Sequence, residues 1–397
     1  MRFVHISAFY YDGWGYQDNL LPEYQHDNGN DVFIISGNAR LYNIKDKDAI
    51  ETIVAKGNAY EINGVKIRKI KYLLNTSNAS FLCGGLYKTL CEVQPDAIMH
   101  HGLITSTLIV ASFYKRKHPK VKLYVDNHAD WINCSHNKYW NKLYTKGYQR
   151  LVVKMTMKYV DMYFGVTPLR CEYLHKVHGI PENKISLLPI GCDTKRAQAI
   201  KYDRIEERKK IGIPEDAFVV VTGGKMDKSK GTLELIEVCK ELRKEVPCLY
   251  LLMFGKADDD VLCEAQQHPF IITKGWCDRQ ETLTLLSISD VACWPKLHTT
   301  LIEDSIACGT PLIVKSSGNV RHFDKEGVGV FLQTGEKEEL EAAVKTMITS
   351  KKEFDDHAAI AKKTFSYVSI ADALSKGDYN RFKFYLDKSE VKRVSFP

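Results

Sequence analysis

The strongest constraint on the fold is a regular alternation of strand-length apolar runs with stretches of helical spacing. The runs are nearly continuous, which is typical of strands buried on both faces of a parallel sheet. In the first half of the chain they are RFVHISAF (2–9), DVFIISG (31–37), VKIRKI (65–70), DAIMHHG (96–102), VKLYVDNH (121–128) and DMYFGVTP (161–168). This alternation predicts an α/β protein.

The same pattern restarts at residue 185. The later runs are ISLLPIGCD (185–193), FVVVTGGK (218–225), LYLLMFGK (249–256), FIITKGW (270–276), VACWP (291–295) and PLIVKSSG (311–318). A chain of 397 residues is also too long for one ordinary core. We therefore expect two doubly wound, Rossmann-like domains, residues 1–190 and 191–365, that face each other across a cleft. Residues 366–397 are expected to form an amphipathic C-terminal helix that packs back on the first domain.

Composition narrows the class of protein. The chain is 44% hydrophobic and 26% charged, and we find no run of 18 apolar residues that predicts a transmembrane helix. Its start, MRFVHISAFYYDG, turns polar too early for a signal peptide. None of the eleven cysteines forms a C-x-x-C pair, which favours reduced, mostly buried thiols in a cytoplasmic protein.

Positive charge is concentrated in the first half of the chain. Residues 1–191 contain 24 Lys and Arg against 16 Asp and Glu, whereas residues 192–397 contain 32 against 33. Within 138–158, basic residues recur every fourth position with aromatic residues beside them. The basic set is Lys138, Lys142, Lys146, Arg150, Lys154 and Lys158, and the aromatic set is Tyr139, Trp140, Tyr144 and Tyr148. On a helix this stripe suits an anionic membrane surface, and a solvated helical face is the alternative. No nucleic-acid-binding module is recognisable, so we expect no nucleic acid partner.

Glycines and lysines follow several of the predicted strands. Ligands of parallel sheets bind at the carboxyl ends of strands, so these positions are candidate site residues. Gly15 follows the first strand, and Gly255 follows the strand of 249–256. In GGKMDKSKG, Gly224 with Lys225 and Lys230 can clamp a diphosphate through backbone donors and charge. An ordinary turn and a solvated lysine loop are the alternatives.

Clusters of acids and histidines also follow strands. Asp258–Asp260 could hold a metal ion on a diphosphate, but we expect them to begin a helix whose dipole they suit. His100, His101 and His128 follow neighbouring strands without a fourth ligand, so no metal site is predicted. His128 is the best candidate for a polar or acid–base group, and a structural histidine is the alternative for all three.

The segment WPKLHTTLIEDSIACGTPLI (294–313) places polar groups where a strand passes into a helix. Glu303 falls in the first turns of that helix, where a carboxylate can accept both hydroxyls of a ribose. Thr299 and Thr300 fall at the N-cap, where free N–H groups can meet phosphates, and His298 precedes them. A helix cap with a surface acid is the alternative. Trp276, after another strand, either shelters a base or sugar or packs in the core.

Together these stretches resemble the retaining GT-B glycosyltransferases of glycosyltransferase family 4 (group 1) over nearly the whole chain. The segments that carry the resemblance are GYQDNLLPEYQHDNGNDVFIIS, GVTPLRCEYLHKVHGIPENKISLLPIGCDT, GGKMDKSKG and IEDSIACGTPLIV. The resemblance implies that Lys225 and Lys230 hold the donor diphosphate and that Glu303 binds the ribose. It also implies that His128 contacts the transferred sugar near its anomeric centre and that Gly15 approaches the phosphates or sugar.

The resemblance further implies that Trp276 lines the base pocket. The chain departs from the family at two positions. Lys225 stands where the family usually has arginine, which removes the bidentate fork. Pro295 stands eight positions before Glu303, where the family often has a second glutamate, and His298 or the amides after it would have to substitute.

The implied function is transfer of a sugar, with retention and without metal or cofactor, from a UDP- or GDP-sugar to a glycan or lipid-linked glycan. The resemblance places this reaction in bacterial surface polysaccharide synthesis, in a cytoplasmic protein that can associate with the inner face of the membrane. Two alternatives stay open: a non-catalytic nucleotide-sugar-binding protein of the same fold, and a GT-B nucleotide-sugar epimerase.

Overall fold

The computed structural model describes residues 1–13, 15–37, 56–77, 80–134 and 137–383. Trp14 and residues 384–397, which the sequence analysis touched on, lie outside this part of the chain. Contacts between residues divide the chain into two units. The first is Met1–Ile190 with Tyr367–Pro397, and the second is Gly191–Ser366.

The first unit is built on a sheet of eight strands. The strands of this unit are β1 (Arg2–Ser7), β2 (Asp31–Gly37), β3 (Ala59–Ile62), β4 (Val65–Ile70), β5 (Tyr72–Ser77), β6 (Ser80–Cys83), β7 (Ala97–His100), β8 (Lys122–Asn127), β9 (Met162–Gly165) and β10 (Ile185–Leu187). The sheet has the order β10-β9-β8-β7-β1-β2-β4-β3, with β5 and β6 forming a separate hairpin. Its neighbours pair in parallel except for β3 and β4. The central strands β1, β7 and β8 bury almost every side chain, as their apolar runs predict.

Helices cover this sheet. They are α1 (Gln17–Asp27), α2 (Leu86–Val93), α3 (Thr105–Lys117), α4 (Lys138–Trp140), α5 (Arg150–Thr156) and α6 (Pro168–His178), with a π-helix at Asn141–Gln149 and a 3₁₀ turn at Glu182–Lys184. Helix α6 shows how the local sequence sets the ends. The Thr167 side chain accepts a hydrogen bond from the Arg170 N–H, Pro168 occupies the first helical position, and Gly179 ends the helix at φ +71°.

The second unit is a parallel sheet of six strands with its own apolar core. Its strands are β11 (Phe218–Met226), β12 (Leu249–Ala257), β13 (Ile271–Lys274), β14 (Val291–Trp294), β15 (Leu312–Lys315) and β16 (Gly329–Leu332), in the order β13-β12-β11-β14-β15-β16. Its helices are α7 (Thr194–Ala199), α8 (Arg204–Lys210), α9 (Thr232–Leu242), α10 (Asp259–Gln266), α11 (Arg279–Ser287), α12 (Leu301–Cys308), α13 (Lys337–Thr349) and α14 (Lys351–Thr364), with 3₁₀ turns at Lys228–Lys230 and Arg321–Glu326. The carboxyl ends of β11 and β14 are neighbours, so the segments that follow them meet at one edge.

The last described helix, α15 (Tyr367–Lys376), belongs to the first unit. It packs against α1, where the rings of Tyr24 and Tyr367 lie 5.4 Å apart. The hydroxyls of Tyr124 in β8 and Tyr379 then meet at 2.6 Å. These aromatic contacts are the surface that the phenylalanines and tyrosines of the tail were expected to need.

The predicted α/β class with two parallel, doubly wound sheets is confirmed. Asp258–Asp260 cap and begin α10, as expected. The run 185–193 opens the second set of apolar runs in the sequence, yet its strand β10 pairs with β9 of the first unit. Periodicity describes a strand and not its partner, and the partner is set by contacts between distant residues.

The segment 138–156 is helical, but it is not one regular α-helix. A π-helix of nine residues lies between two short α-helices. Four-residue spacing does not distinguish the wider turns of a π-helix from those of an α-helix. Gly147 lies in this segment, and a Cβ there would approach the Lys142 carbonyl to 3.2 Å.

All eleven cysteines are free thiols. Three are fully buried, six are half-buried and two are exposed, so the expectation of mostly buried thiols holds only in part. Among the residues that the structure describes, no helix combines the length and apolarity needed to cross a bilayer.

Candidate functional site

Gly224 in β11 and Gly255 in β12 form a glycine pair that the backbone requires for a structural reason. Gly224 has φ +94° and Gly255, its partner in β12, has φ +107°. A Cβ on Gly255 would lie 2.3 Å from the Gly224 carbonyl oxygen, and a Cβ on Gly223 would strike the Phe254 ring at 2.4 Å. The strand continues through Lys225 to Met226, one residue beyond the predicted run. The glycines therefore allow two backbones to approach closely at the carboxyl edge of the sheet.

The two predicted phosphate-binding lysines lie on either side of Asp227. This residue caps the 3₁₀ turn by accepting from the Ser229 N–H at 2.9 Å. Its carboxylate lies 3.1 Å from Lys225 Nζ, and this pairing raises the lysine's pKa. Lys230 is half-buried, and no carboxylate of the described residues lies within ion-pair distance of it. Of the two lysines, Lys230 is the one whose charge is uncompensated.

The turn that carries Lys230 packs on the segment after β14. Gly231 has φ +77°, and a Cβ there would lie 2.8 Å from the Pro295 ring. Pro295 is buried, and its carbonyl lies against Gly335. The position where the family often has an acid is thus a packed proline, and it offers a ligand no carboxylate.

Helix α12 begins at this same edge. A Cβ on Gly224 would lie 3.5 Å from Leu301 and 4.0 Å from Thr299 Oγ1. Thr299 Oγ1 accepts weakly from the Leu301 N–H at 3.4 Å. Thr300 is the N-cap residue, but its side chain makes no capping hydrogen bond. The first turn of α12 therefore lies next to Gly224 at the carboxyl edge of the sheet.

Glu303, in that first turn, is only 6% exposed. Its Oε2 has no hydrogen-bond partner among the described residues. Its Oε1 lies 3.9 Å from His298 Nε2, a buried atom that also has no hydrogen-bond partner in the described part of the chain. A buried polar atom without a hydrogen bond costs about 1–3 kcal/mol, and more when it is charged. Most buried polar atoms in proteins have a hydrogen-bond partner. Glu303 Oε2 and His298 Nε2 are two neighbouring exceptions, which indicates a place where a ligand supplies the missing partners.

The neighbouring Asp304 is also buried but fully engaged. The guanidinium of Arg279 donates a hydrogen bond to each oxygen of the Asp304 carboxylate, with Nη2 at 2.7 Å from Oδ1. Burial raises the pKa of Asp304 even so. The two adjacent acids of α12 thus have different surroundings. Asp304 joins α12 to α11, whereas Glu303 is left available to a ligand.

Trp276 follows β13 at the outer side of this edge. Its ring is 88% exposed, so the alternative of a core residue is wrong. The preceding Gly275 accepts a hydrogen bond from the Gly255 N–H at 2.8 Å, which joins this turn to the glycine pair. Its predicted contact with a base stays a prediction.

The first unit contains the other predicted residues. Gly15 has φ +70° and lies two residues before α1, where the turn requires glycine. Gln17 begins α1 and is 5% exposed, and neither atom of its side-chain amide has a hydrogen-bond partner among the described residues. His128, after β8, is about half exposed, with Nε2 3.5 Å from the Asp126 carboxylate. Gln17 was not singled out from the sequence, because a glutamine at a helix start carries no signal of burial.

The two remaining histidines are buried. His100 donates or accepts at both ring nitrogens, to the Gly102 carbonyl and to Thr107, each at 2.8 Å, and is therefore structural. His101 binds the Asp126 carboxylate at 2.6 Å and His5 at 3.0 Å. The sequence missed Asp126 and His5 as functional residues, and their only signal is a polar side chain inside an apolar strand.

One ligand atom from each of His101, Asp126 and His128 lies within 4.8 Å of the others. Two imidazoles and a carboxylate are a donor set that a metal could use. His101, however, already uses both ring nitrogens in hydrogen bonds within the protein. Hydrogen bonding accounts for this geometry.

Part of the second unit matches a family model, and one curated relative matches about half of the chain. Residues 203–364 match the family model of glycosyl transferases group 1. A curated relative, alpha-monoglucosyldiacylglycerol synthase from Acholeplasma laidlawii, is 22% identical over 227 residues. That match spans 53% of this chain and 56% of the relative, so it covers just over half the length of each.

Two solved structures share the fold across nearly the whole chain. A glycosyltransferase from Rickettsia africae matches with a TM-score of 0.63 and 14% identity, over 96% of this chain and 98% of that one. HepE from Anabaena, solved in complex with UDP, matches with a TM-score of 0.63 and 16% identity, over 95% and 99%. The chain shares the two-domain GT-B fold of these proteins, and residues 203–364 of its second unit match the glycosyl transferases group 1 family model.

Proposed function

We propose that the chain is a hexosyltransferase that moves a sugar from a UDP-sugar to a lipid-linked or glycan acceptor. The observation that carries this proposal is Glu303, a buried carboxylate with an unpartnered oxygen at the start of α12. Two neighbouring ribose hydroxyls are the donors that such a carboxylate lacks. The UDP complex of HepE favours uridine over guanosine, and the diacylglycerol-based name of the curated relative favours a lipid acceptor.

The proposed sugar transfer relies on positive charges at the carboxyl edge of the second unit's sheet. As the bond between the sugar and the diphosphate breaks, negative charge grows on the departing phosphate. Lys225, Lys230 and the N–H groups that begin α12 can stabilise that charge in place, so the reaction needs no metal ion. The acceptor hydroxyl forms the new bond to the anomeric carbon, and its proton passes to the departing phosphate. The proposed outcome is retention at the anomeric carbon, and this scheme requires neither a resident cofactor nor a strong general base from the protein.

Glu303→Gln is expected to weaken UDP binding at least about 10-fold, because hydrogen bonds to a charged group contribute about 1.5–3 kcal/mol each. Thermal shift with UDP, and with GDP for comparison, measures the loss. The apo variant should unfold at the same or a higher temperature than wild type, since the mutation removes a buried, unsatisfied charge. Glu338→Gln is the matched control, because Glu338 is an exposed glutamate in the first turn of α13.

Equal UDP-induced shifts in wild type and Glu303→Gln would contradict the ribose assignment. If UDP stabilises the wild type, incubation with UDP-hexoses and diacylglycerol or glycolipid vesicles separates the remaining possibilities. A glycosylated acceptor with release of UDP supports the transferase. Conversion of the sugar nucleotide without an acceptor would identify an epimerase. Binding without either product would identify a non-catalytic protein.

A second surface supports a membrane-linked acceptor. Between residues 138 and 158, large apolar side chains stand exposed among basic ones, with no acidic residue in the segment. The exposed fractions are 80% for Tyr139, 71% for Leu143, 56% for Leu151 and 62% for Met155. Contiguous apolar area bordered by lysines is the composition that binds an anionic bilayer. Peripheral association of this face with the membrane that holds the acceptor is part of the proposal.

Lys142→Gln/Lys146→Gln is expected to weaken binding to vesicles with 30% anionic lipid by about 30-fold, since each lysine near such a surface contributes about 1 kcal/mol. Co-sedimentation at low and high salt measures the effect. Lys209→Gln/Lys352→Gln, two exposed lysines of the second unit, is the matched control. Unchanged vesicle binding in the first variant would rule out this surface.

A further inference from the structure

A row of buried polar side chains crosses three adjacent strands of the first unit. Gln25 of α1 contacts His5 of β1 at 2.6 Å, His5 contacts His101 after β7 at 3.0 Å, and His101 contacts Asp126 of β8 at 2.6 Å. The row ends at His128, whose Nε2 lies 3.5 Å from the same Asp126 oxygen. Apart from His128, these side chains are at most 7% exposed. The proposed sugar transfer uses none of the four buried side chains, which are those of Gln25, His5, His101 and Asp126.

The hydrogen bonds of the row fix where the protons lie. Gln25 Oε1 is an acceptor, so His5 Nε2 carries a proton and His5 Nδ1 is free to accept. His101 Nε2 must then donate to His5, while His101 Nδ1 donates to the Asp126 carboxylate. The other Asp126 oxygen accepts from the Gly102 N–H at 2.8 Å. With the Gln25 amide oriented in this way, His101 holds two protons and Asp126 holds none.

The pKa shifts agree with this pattern. Burial lowers the pKa of His5 to about 3, which keeps it neutral. Burial also acts to lower the pKa of His101, but the Asp126 carboxylate outweighs it and the net shift is upward. Burial would raise the pKa of Asp126, and the charges of His101 and His128 reverse this to well below the usual range. In this row, His5 is therefore a neutral imidazole, His101 is an imidazolium and Asp126 is a carboxylate.

We propose that His101 and His5 are positioning residues that hold Asp126 as a carboxylate, so that Asp126 orients His128 and keeps its proton on Nε2. His128 then presents Nδ1, away from Asp126, as a hydrogen-bond acceptor for a substrate hydroxyl. The assignment of that hydroxyl to the sugar or acceptor rests on the proposed function, whereas the proton positions do not. The 3.5 Å separation is long for a hydrogen bond, and a bound ligand can draw the ring closer to Asp126.

Other titratable groups act on the same cluster. His100, in β7, has its pKa lowered to about 4 by burial and is neutral. Asp18 of α1 interacts with His101 and His128, and burial raises its pKa. The Ser7 hydroxyl lies 3.0 Å from the Asp18 carboxyl. Because burial raises the pKa of Asp18, its carboxyl group becomes a negatively charged carboxylate only at higher pH. That charge near His101 then further favours the imidazolium form of His101.

Long-range ¹⁵N–¹H correlation spectra of ¹⁵N-histidine-labelled protein, recorded from pH 5 to 9 after EDTA treatment, test the proposal. In wild type, we expect one buried ring to stay an imidazolium above pH 6.5, and His128 to be protonated at Nε2 when neutral. His101→Gln and His128→Gln identify the two signals. A neutral His101 at pH 6, or a His128 with its proton on Nδ1, would overturn the proposal, and the wild-type spectrum alone decides this.

The variants test the coupling. Asp126→Asn removes the carboxylate beside Nε2, so neutral His128 should lose its preference for a proton on Nε2. His101→Gln removes a hydrogen-bond donor to Asp126, so it should weaken the same preference. kcat/KM should fall in both variants together with this change of tautomer, which a merely structural role would not cause. His118→Gln, an exposed histidine of the same unit, should move neither. A His128 spectrum that Zn²⁺ shifts at micromolar concentration would instead identify a metal site.

Discussion

Asp290→Ala is expected to lower the free energy of unfolding of the second unit by about 3–5 kcal/mol, because it leaves Arg208 buried and unpaired. Arg208 is 3% exposed, and its Nη2 lies 2.7 Å from the Asp290 carboxylate. Asp290 also accepts from Arg204 at 2.7 Å and from the Val219 N–H at 2.8 Å. This one carboxylate therefore holds α8 against the start of β11.

The rest of the Arg208 side chain cannot leave its position at low cost. Its Nε donates to the Ile288 carbonyl at 2.9 Å, and its Nη1 donates to the carbonyls of Glu215 and Ala217. Burial already lowers the pKa of Arg208, as expected for a guanidinium that depends on its partner. Differential scanning calorimetry should show the transition of the second unit shifted down and that of the first unit unchanged.

Two further variants make the test decisive. Asp259→Ala removes an exposed acid from the first turn of α10 and should cost less than about 1 kcal/mol. The double variant Arg208→Met/Asp290→Leu removes both charges and should recover most of the loss. A loss below about 1 kcal/mol for Asp290→Ala alone would show that the pair is not a structural anchor.

Lys230→Ala is expected to lower kcat by about 100-fold if the chain is a transferase of the proposed type, since removal of one preorganised donor of a developing anion costs about 10²–10³-fold. The side chain is half-buried and has no carboxylate partner among the described residues, so its charge is available to a phosphate. UDP affinity should fall less than kcat, because the charge grows as the bond breaks.

The same 3₁₀ turn offers a matched control. Lys228 lies two residues away, is 79% exposed and pairs with Asp260 at 3.2 Å. Lys228→Ala should keep kcat within about twofold. Equal losses in the two variants would show a general effect of the turn and not a role for Lys230. If UDP still raises the unfolding temperature of both while neither wild type nor variant transfers sugar, the proposed function fails and the binding site stands.

Local pattern was enough for most of the fold. The buried runs of β11, β12 and β14 were predicted because a strand covered on both faces has to be apolar along its length. The turn glycines were found for a similar reason. Gly15 and Gly224 take positive φ angles that other residues rarely adopt, so their chemical identity reports the backbone directly.

Partners in space were harder to predict. Residues of β10 look like the other apolar runs, and only pairing with β9 places the strand in the first sheet. The π-helix at Asn141–Gln149 depends on a hydrogen-bond register that side-chain periodicity does not report.

The sequence by itself determined the α/β class and the starts of the strands within its apolar runs, since these depend on residues close together in the chain. Only the tertiary structure separated Glu303 from Asp304, two adjacent acids about 100° apart on one helix. Arg279, from another helix, satisfies Asp304 and leaves Glu303 open. The buried row from His5 to Asp126 likewise joins residues about 120 positions apart. Charge and hydrogen bonding depend on which groups meet in space, and in these two clusters that is decided by the packing of strands and helices.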